Sequence, residues 1–183
     1  ARDGRGVASC FGWGANDRLQ LGARTPEAWV TKPYRVEALT MLGAARSLAC
    51  GGGHAAGVGE DGSVYCWGYD WEKPQKVKLP LPKLEGGIKS THHHRAKPLA
   101  TLVTCGFSHT AAVSDGGDIF AWDAETAAQR VRLPVGSFVT HAAAANYSTV
   151  AVTAGGLVYS WKEHWHAGVE PRPHWHPELR QAV

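Results

Sequence analysis

An all-β fold of stacked repeats is predicted by three observations: a segment that recurs along the chain, the turn chemistry at its centre, and the alternation of its aromatic residues. His54-Ala-Ala-Gly-Val-Gly-Glu-Asp-Gly-Ser-Val-Tyr-Cys-Trp67 returns as His109-Thr-Ala-Ala-Val-Ser-Asp-Gly-Gly-Asp-Ile-Phe-Ala-Trp122. It returns more loosely as Ser148-Thr-Val-Ala-Val-Thr-Ala-Gly-Gly-Leu-Val-Tyr-Ser-Trp161, and in all three the first and last residues are 13 apart. Repetition at this length makes each unit one supersecondary piece that buries its apolar face against a neighbour.

Within each copy the first half is small and β-branched (Thr110-Ala-Ala-Val113, Thr149-Val-Ala-Val152), which suits a strand. The centre is Asp61-Gly62, Asp115-Gly116-Gly117 or Gly155-Gly156, the chemistry of a tight hairpin turn. The second half is aromatic and β-branched, as in Val64-Tyr65-Cys66-Trp67. Alternation sends Tyr65 with Trp67, Phe120 with Trp122, and Tyr159 with Trp161 to one face of each hairpin. Ala55, Ala56, Ala111 and Ala112 are small enough to let two sheets approach closely. Hairpins are expected near 1–22, 46–68, 101–123 and 140–162, with Trp67, Trp122 and Trp161 in the core.

The residues around these hairpins resemble the repeats of the regulator of chromosome condensation family. Cys50-Gly-Gly-Gly-His54 and Cys105-Gly-Phe-Ser-His109 fit the family's Cys-Gly-x-x-His strand entry, and Trp13-Gly-Ala-Asn-Asp-Arg-Leu-Gln-Leu-Gly22 fits its Trp-Gly-x-Asn-x-x-Gly-Gln-Leu-Gly segment, with Leu19 in place of one glycine. The resemblance runs from about Cys10 to Gly168. It implies a β-propeller, partial or divergent, with about three to four blades in this chain, because members close seven such units into a ring. An arc of this kind leaves sheet edges to be covered, so a processed or partial chain, or an arc completed by another subunit, is expected. A complete three-blade domain is the alternative. The spacings Trp13 to Trp67, Trp67 to Trp122 and Trp122 to Trp161 are 54, 55 and 39 residues, which predicts a thinner third blade or a missing edge strand.

Composition agrees with a globular β protein: 22 glycines, 10 prolines, 8 tryptophans and 44% hydrophobic residues. No window is apolar enough to suggest a membrane span. Cys10, Cys50, Cys66 and Cys105 lie in strand patterns and read as buried thiols. They suit a reducing compartment, cytoplasm or nucleus, or an organelle entered by way of a removable transit peptide. No cofactor is expected.

Charge is uneven although the net charge is only +3. Residues 73–97 hold Lys73, Lys76, Lys78, Lys83, Lys89, Arg95 and Lys97 against Glu85 alone, and read as a mobile inserted loop. Such a loop suits an acidic protein surface or a phosphate backbone, or is simply solvated; it lacks the interleaved aromatics that stack bases. Residues 169–183 read as an irregular tail rich in His, Pro and Trp. The residues taken as partner contacts are Lys83, Lys89, Arg95 and Lys97 of the loop and Trp165 and Trp175 at the C-terminal end. His164, His166, His174 and His176 are metal-ligand candidates by residue type, against an incidental role. His54 and His109, at repeat positions, read as hydrogen-bonding struts.

No GxSxG, P-loop or HExxH motif is present, so catalysis is not expected. The resemblance implies two binding roles. One is a protein-interaction scaffold within a multisubunit assembly. The other is guanine-nucleotide exchange on a small Ran-like GTPase, with a chromatin association.

Overall fold

The computed structural model describes residues 9–22, 25, 27–81, 97–162 and 173–179. Among them are 14 strands: β1 (Phe11–Ala15), β2 (Trp29–Arg35), β3 (Ser47–Cys50), β4 (His54–Val58), β5 (Val64–Gly68), β6 (Trp71–Val77), β7 (Ala100–Cys105), β8 (His109–Ser114), β9 (Ile119–Asp123), β10 (Gln129–Arg130), β11 (Val139–Ala144), β12 (Ser148–Thr153), β13 (Val158–Lys162) and β14 (His174–Trp175). Two 3-10 turns, Glu37–Leu42 and Pro177–Leu179, complete the set.

Pairing is antiparallel and follows chain order. β3 to β6 form the first complete blade, β7 to β10 the second and β11 to β14 the third, while β1 and β2 pair as a two-stranded sheet ahead of them. The three repeated segments are the central hairpins β4/β5, β8/β9 and β12/β13, as their turn chemistry predicts. Gly62, Gly117 and Gly156 occupy the same turn position with φ of 74°, 74° and 72°, a region that favours glycine.

The first two hairpins bury both faces, and the third buries the face turned to the second blade. Trp67, Trp122 and Trp161 are buried, with Ala55, Ala56, Ala111 and Ala112 closed off almost completely. Ala56, Val58, Val64 and Cys66 of the first blade pack on Val103, Cys105, Ala112, Phe120 and Trp122 of the second. The opposite face of the second blade, Ala111, Val113, Ile119 and Ala121, packs on Ala151 and Trp161 of the third. Trp67 and Ala55 face Leu39 and Leu42 from the 3-10 turn that precedes β3, and Val36 just ahead of that turn. Hydrophobic clusters therefore lie between blades, which is the stacking a propeller requires.

Three expectations change. Cys66 and Cys105 are buried, and burial pushes the Cys66 thiol up to about 11, but Cys50 is exposed on β3 and Cys10 is half-buried. The third blade has a fourth strand after all: β14 comes from residues expected in the irregular tail and pairs Trp175 with Tyr159 and His174 with Ser160. The expected loop at 73–97 begins as strand, because Val77, Lys76 and Gln75 of β6 pair with Val64, Tyr65 and Cys66. The rest of that loop from 82 to 96 lies outside the described residues.

Candidate interaction surface

Consecutive blades are joined by the same polar contacts twice. His54 Nε2 meets Thr110 Oγ1 at 2.9 Å, and His109 Nε2 meets Thr149 Oγ1 at 3.0 Å. Both histidines are buried and burial holds their imidazoles down to about 4, so they stay neutral struts. At one end of the hairpins the Ala100 N–H donates to the Gly62 carbonyl and the Val139 N–H to the Gly117 carbonyl, both at 2.9 Å. At the other end the Gly52 N–H donates to the Phe107 carbonyl and the Phe107 N–H to the Asn146 carbonyl, both at 3.0 Å.

This second set of bonds builds a rim from loops that sequence reasoning passed over. Phe107 and Tyr147 are 55% and 59% exposed, with ring centroids 5.9 Å apart. Tyr69 stacks on His54 at 4.5 Å and donates its hydroxyl to the Ser108 carbonyl at 2.8 Å. Arg18 closes the rim on the side of β1, pairing with Asp70 at 2.8 Å while its carbonyl accepts the Asp70 N–H. Beyond Tyr147 an open cavity of about 590 Å³ is lined by Ala145, Asn146, Tyr147, Ser148 and Lys162. The available signal was the pair of free positions in Cys-Gly-x-x-His: Phe107 fills one of them, and a large aromatic at a loop tip has no core to enter.

The charged contacts chosen from sequence fall elsewhere. Lys97 is exposed just before β7, and Lys73, Lys76 and Lys78 are exposed along or after β6. Lys76 lies 5.5 Å over the Tyr65 ring. At the tip of the first blade the Ser63 N–H and hydroxyl bond Asp61 and hold its carboxyl below the ordinary range, with Lys76 and Lys97 adding to the effect. Lys73, Lys76, Lys78 and Lys97 therefore gather on the outer flank and tip of that blade, whereas Lys32 lies on β2 and Lys162 on β13. Lys83, Lys89, Arg95 and Trp165 lie outside the described residues, as do His164 and His166. Trp175 is 47% exposed on β14, at the outer edge of the third blade, with the second blade between it and the lysines. His174 and His176 meet edge to face at 4.9 Å, and among the described residues no group of three or more ligands could hold a metal ion.

Blades stacked through their hairpin faces, with loops bonded in series at both ends, define a β-propeller array. Residues 8–58 match the sequence model described as Regulator of chromosome condensation (RCC1) repeat. Over 152 residues the chain is 32% identical to RCC1 domain-containing protein 1 of Mus musculus, covering 82% of this chain and 38% of that protein. Over 115 residues it is 29% identical to RCC1-like G exchanging factor-like protein of Mus musculus, covering 61% of this chain and 25% of that protein. The structure of Prp20p from Saccharomyces cerevisiae, described together with its binding properties to Gsp1p and histones, superposes with a TM-score of 0.65 at 15% identity, covering 91% of this chain and 47% of that one. These blades are regulator of chromosome condensation repeats, arranged as in a propeller of that family. The chain spans 25% to 38% of the length of the two curated relatives. Among the described residues no helix is long and apolar enough to cross a membrane.

Proposed function

We propose that this chain is a protein-interaction module, a subunit of a larger assembly, that offers the loop rim and the basic flank of the first blade to protein partners. The observation that carries the proposal is the rim: Phe107 and Tyr147 are exposed on loops whose backbones are bonded to each other. Exposed aromatic anchors on a backbone that is already ordered lose little freedom on binding, which is what makes such residues dominate interfaces. The lysines of the flank favour an acidic partner surface, which they would steer toward the rim.

A second reading, guanine-nucleotide exchange on a small GTPase, is supported by the likeness to RCC1-like G exchanging factor-like protein. A scaffold and an exchange factor differ in how nucleotide acts on the complex. Native affinity purification from the source cell, eluted with and without GTP, separates them. The scaffold reading expects partners in fixed ratio regardless of nucleotide. A single small GTPase that leaves on adding GTP would replace it with the exchange reading.

A further inference from the structure

Strained backbone on the rim converges on one side chain. Among the described residues three non-glycine residues have positive φ: Leu19 at 58°, Tyr69 at 53° and Asp70 at 65°. Leu19 follows Arg18 in the chain. Asp70 holds Arg18 twice, by its carboxylate on the guanidinium at 2.8 Å and by its N–H on the Arg18 carbonyl at 3.1 Å. Tyr69 and Asp70 are the two-residue turn between β5 and β6, closed by the pairing of Gly68 with Trp71. Turns of this kind favour Asn-Gly, because both central residues take positive φ. The Arg18 N–H donates in turn to Gln20 Oε1 at 2.8 Å, so main chain and side chain are both fixed.

Stability does not account for this strain. The Arg18–Asp70 pair is exposed at both ends, and exposed ion pairs add little to folding. Strain without a matching gain in stability points to a residue held for contact with another molecule. What is held is a guanidinium with donors to spare: of its five N–H groups Asp70 takes one, on Nη1. Arg18 leans away from its own sheet onto the first complete blade, where a Cβ on Gly53 would meet its Cγ at 3.5 Å. At the adjoining Gly52 a Cβ would come within 2.8 Å of the Phe107 ring. Bare backbone of two glycines thus connects an exposed ring to an oriented cation. The first and second blades, which supply that backbone and that ring, are packed on both faces.

We infer that Arg18 is the polar anchor of the rim, taking an Asp or Glu side chain of an extended protein segment whose neighbouring apolar residue packs on Phe107; this rests on the rim being the contact surface. The free edge of the guanidinium presents paired donors that match both oxygens of a carboxylate, a fit that an ammonium lacks. Asp70 already balances the charge of Arg18, so the site offers directed hydrogen bonds more than net charge. Its contribution therefore persists in salt, whereas the attraction of the flank lysines fades.

The experiment selects binders of the full chain from a displayed library of short random peptides and measures the affinity of the selected peptides at low and high salt. They are expected to carry Asp or Glu beside an apolar residue. Arg18→Ala weakens them by about 10- to 100-fold, the range of a hydrogen bond to a charged group, with a loss of similar size at both salt concentrations. Arg18→Lys recovers only part of it, and Phe107→Ala weakens the same peptides. Asp70→Gly removes the strain and the ion pair together, so the melting temperature holds or rises while affinity falls. Selected peptides that lack an acidic residue, or that Phe107→Ala weakens and Arg18→Ala does not, overturn the role of Arg18 and leave the rim as the contact surface. A lower melting temperature with unchanged affinity in Asp70→Gly also overturns it and makes the ion pair a fold contact. If nothing is selected, or neither Arg18→Ala nor Phe107→Ala weakens what is, the rim itself falls and Arg18 with it.

Discussion

Leu19 shows what one residue can cost. It stands where the repeat segment has glycine, and its φ of 58° is in the left-handed region that side chains with a Cβ avoid. The turn is still held, by the Leu19 N–H on the Asn16 carbonyl and the Gly22 N–H on the Leu19 carbonyl. Leu19→Gly is therefore expected to raise stability by about 1 kcal/mol in chemical denaturation; a loss would mean that the leucine side chain contributes more than its backbone strain costs. The struts His54 and His109 give a second residue-scale expectation. Their folded values of about 4 lie below the ordinary 6.5, so the unfolded chain binds protons that the folded chain refuses. Their contribution is complete above about pH 6.5 and is lost as pH falls toward 4. The denaturation midpoint should drop between neutral pH and pH about 5, and drop less in His54→Gln. A flat midpoint across that window would show that the two imidazoles are not desolvated.

Blades explain why hairpins were legible and their surroundings were not. Turn glycines and alternating aromatics are local signals, and β4/β5, β8/β9 and β12/β13 appear where those signals stand. Outer strands are set by what returns to the edge, so β14 could arrive from residues 174–175 although Pro173 and Pro177 marked the tail as irregular. The thin edge is shared, for β10 of the second blade is also only two residues long. Stacking itself leaves a subtler mark. A Cβ on Gly51 or Gly106 would run into the backbone of the next loop, but the third copy has Ala145, which lines an open cavity. The turns give a matched series. A Cβ on Gly62 would meet Leu99 at 2.7 Å and one on Gly117 would meet Phe138 at 2.6 Å, while Gly156 has open space. Gly62→Ala and Gly117→Ala should lower stability by more than Gly156→Ala, which bears only the backbone strain of about 1–2 kcal/mol. Equal losses at all three positions would mean that the next blade does not press on these turns. Trp122→Ala removes the largest buried side chain between the first and second blades and should cost about 3–5 kcal/mol; a change well below 1 kcal/mol would remove it from the core.

At the scale of the whole molecule the question is which surface a partner meets. The sequence marked charge, and the structure puts Lys73, Lys76, Lys78 and Lys97 on the flank of one blade while Phe107 and Tyr147 sit on a different surface, the rim. Charge reversal at Lys97 together with Lys89 and Arg95 is expected to weaken partner capture in a salt-dependent way, with little change in melting temperature. Phe107→Ala with Tyr147→Ala is expected to weaken capture at all salt concentrations. If both sets leave capture unchanged, the interaction surface lies elsewhere, and Trp175 at the edge of the third blade is the remaining described candidate. The rim loops were hard to foresee because their order depends on neighbours 55 and 39 residues away, separations at which a single sequence gives no pairing signal. Their series of bonds has a further consequence. The Gly52 and Phe107 amides are held by the loop of the adjoining blade and not by their own hairpins, so deuterium reaches them only when two blades part. Their exchange rates therefore time the opening of each seam, Gly52 for the first and Phe107 for the second, and let the cohesion of the array be read one joint at a time.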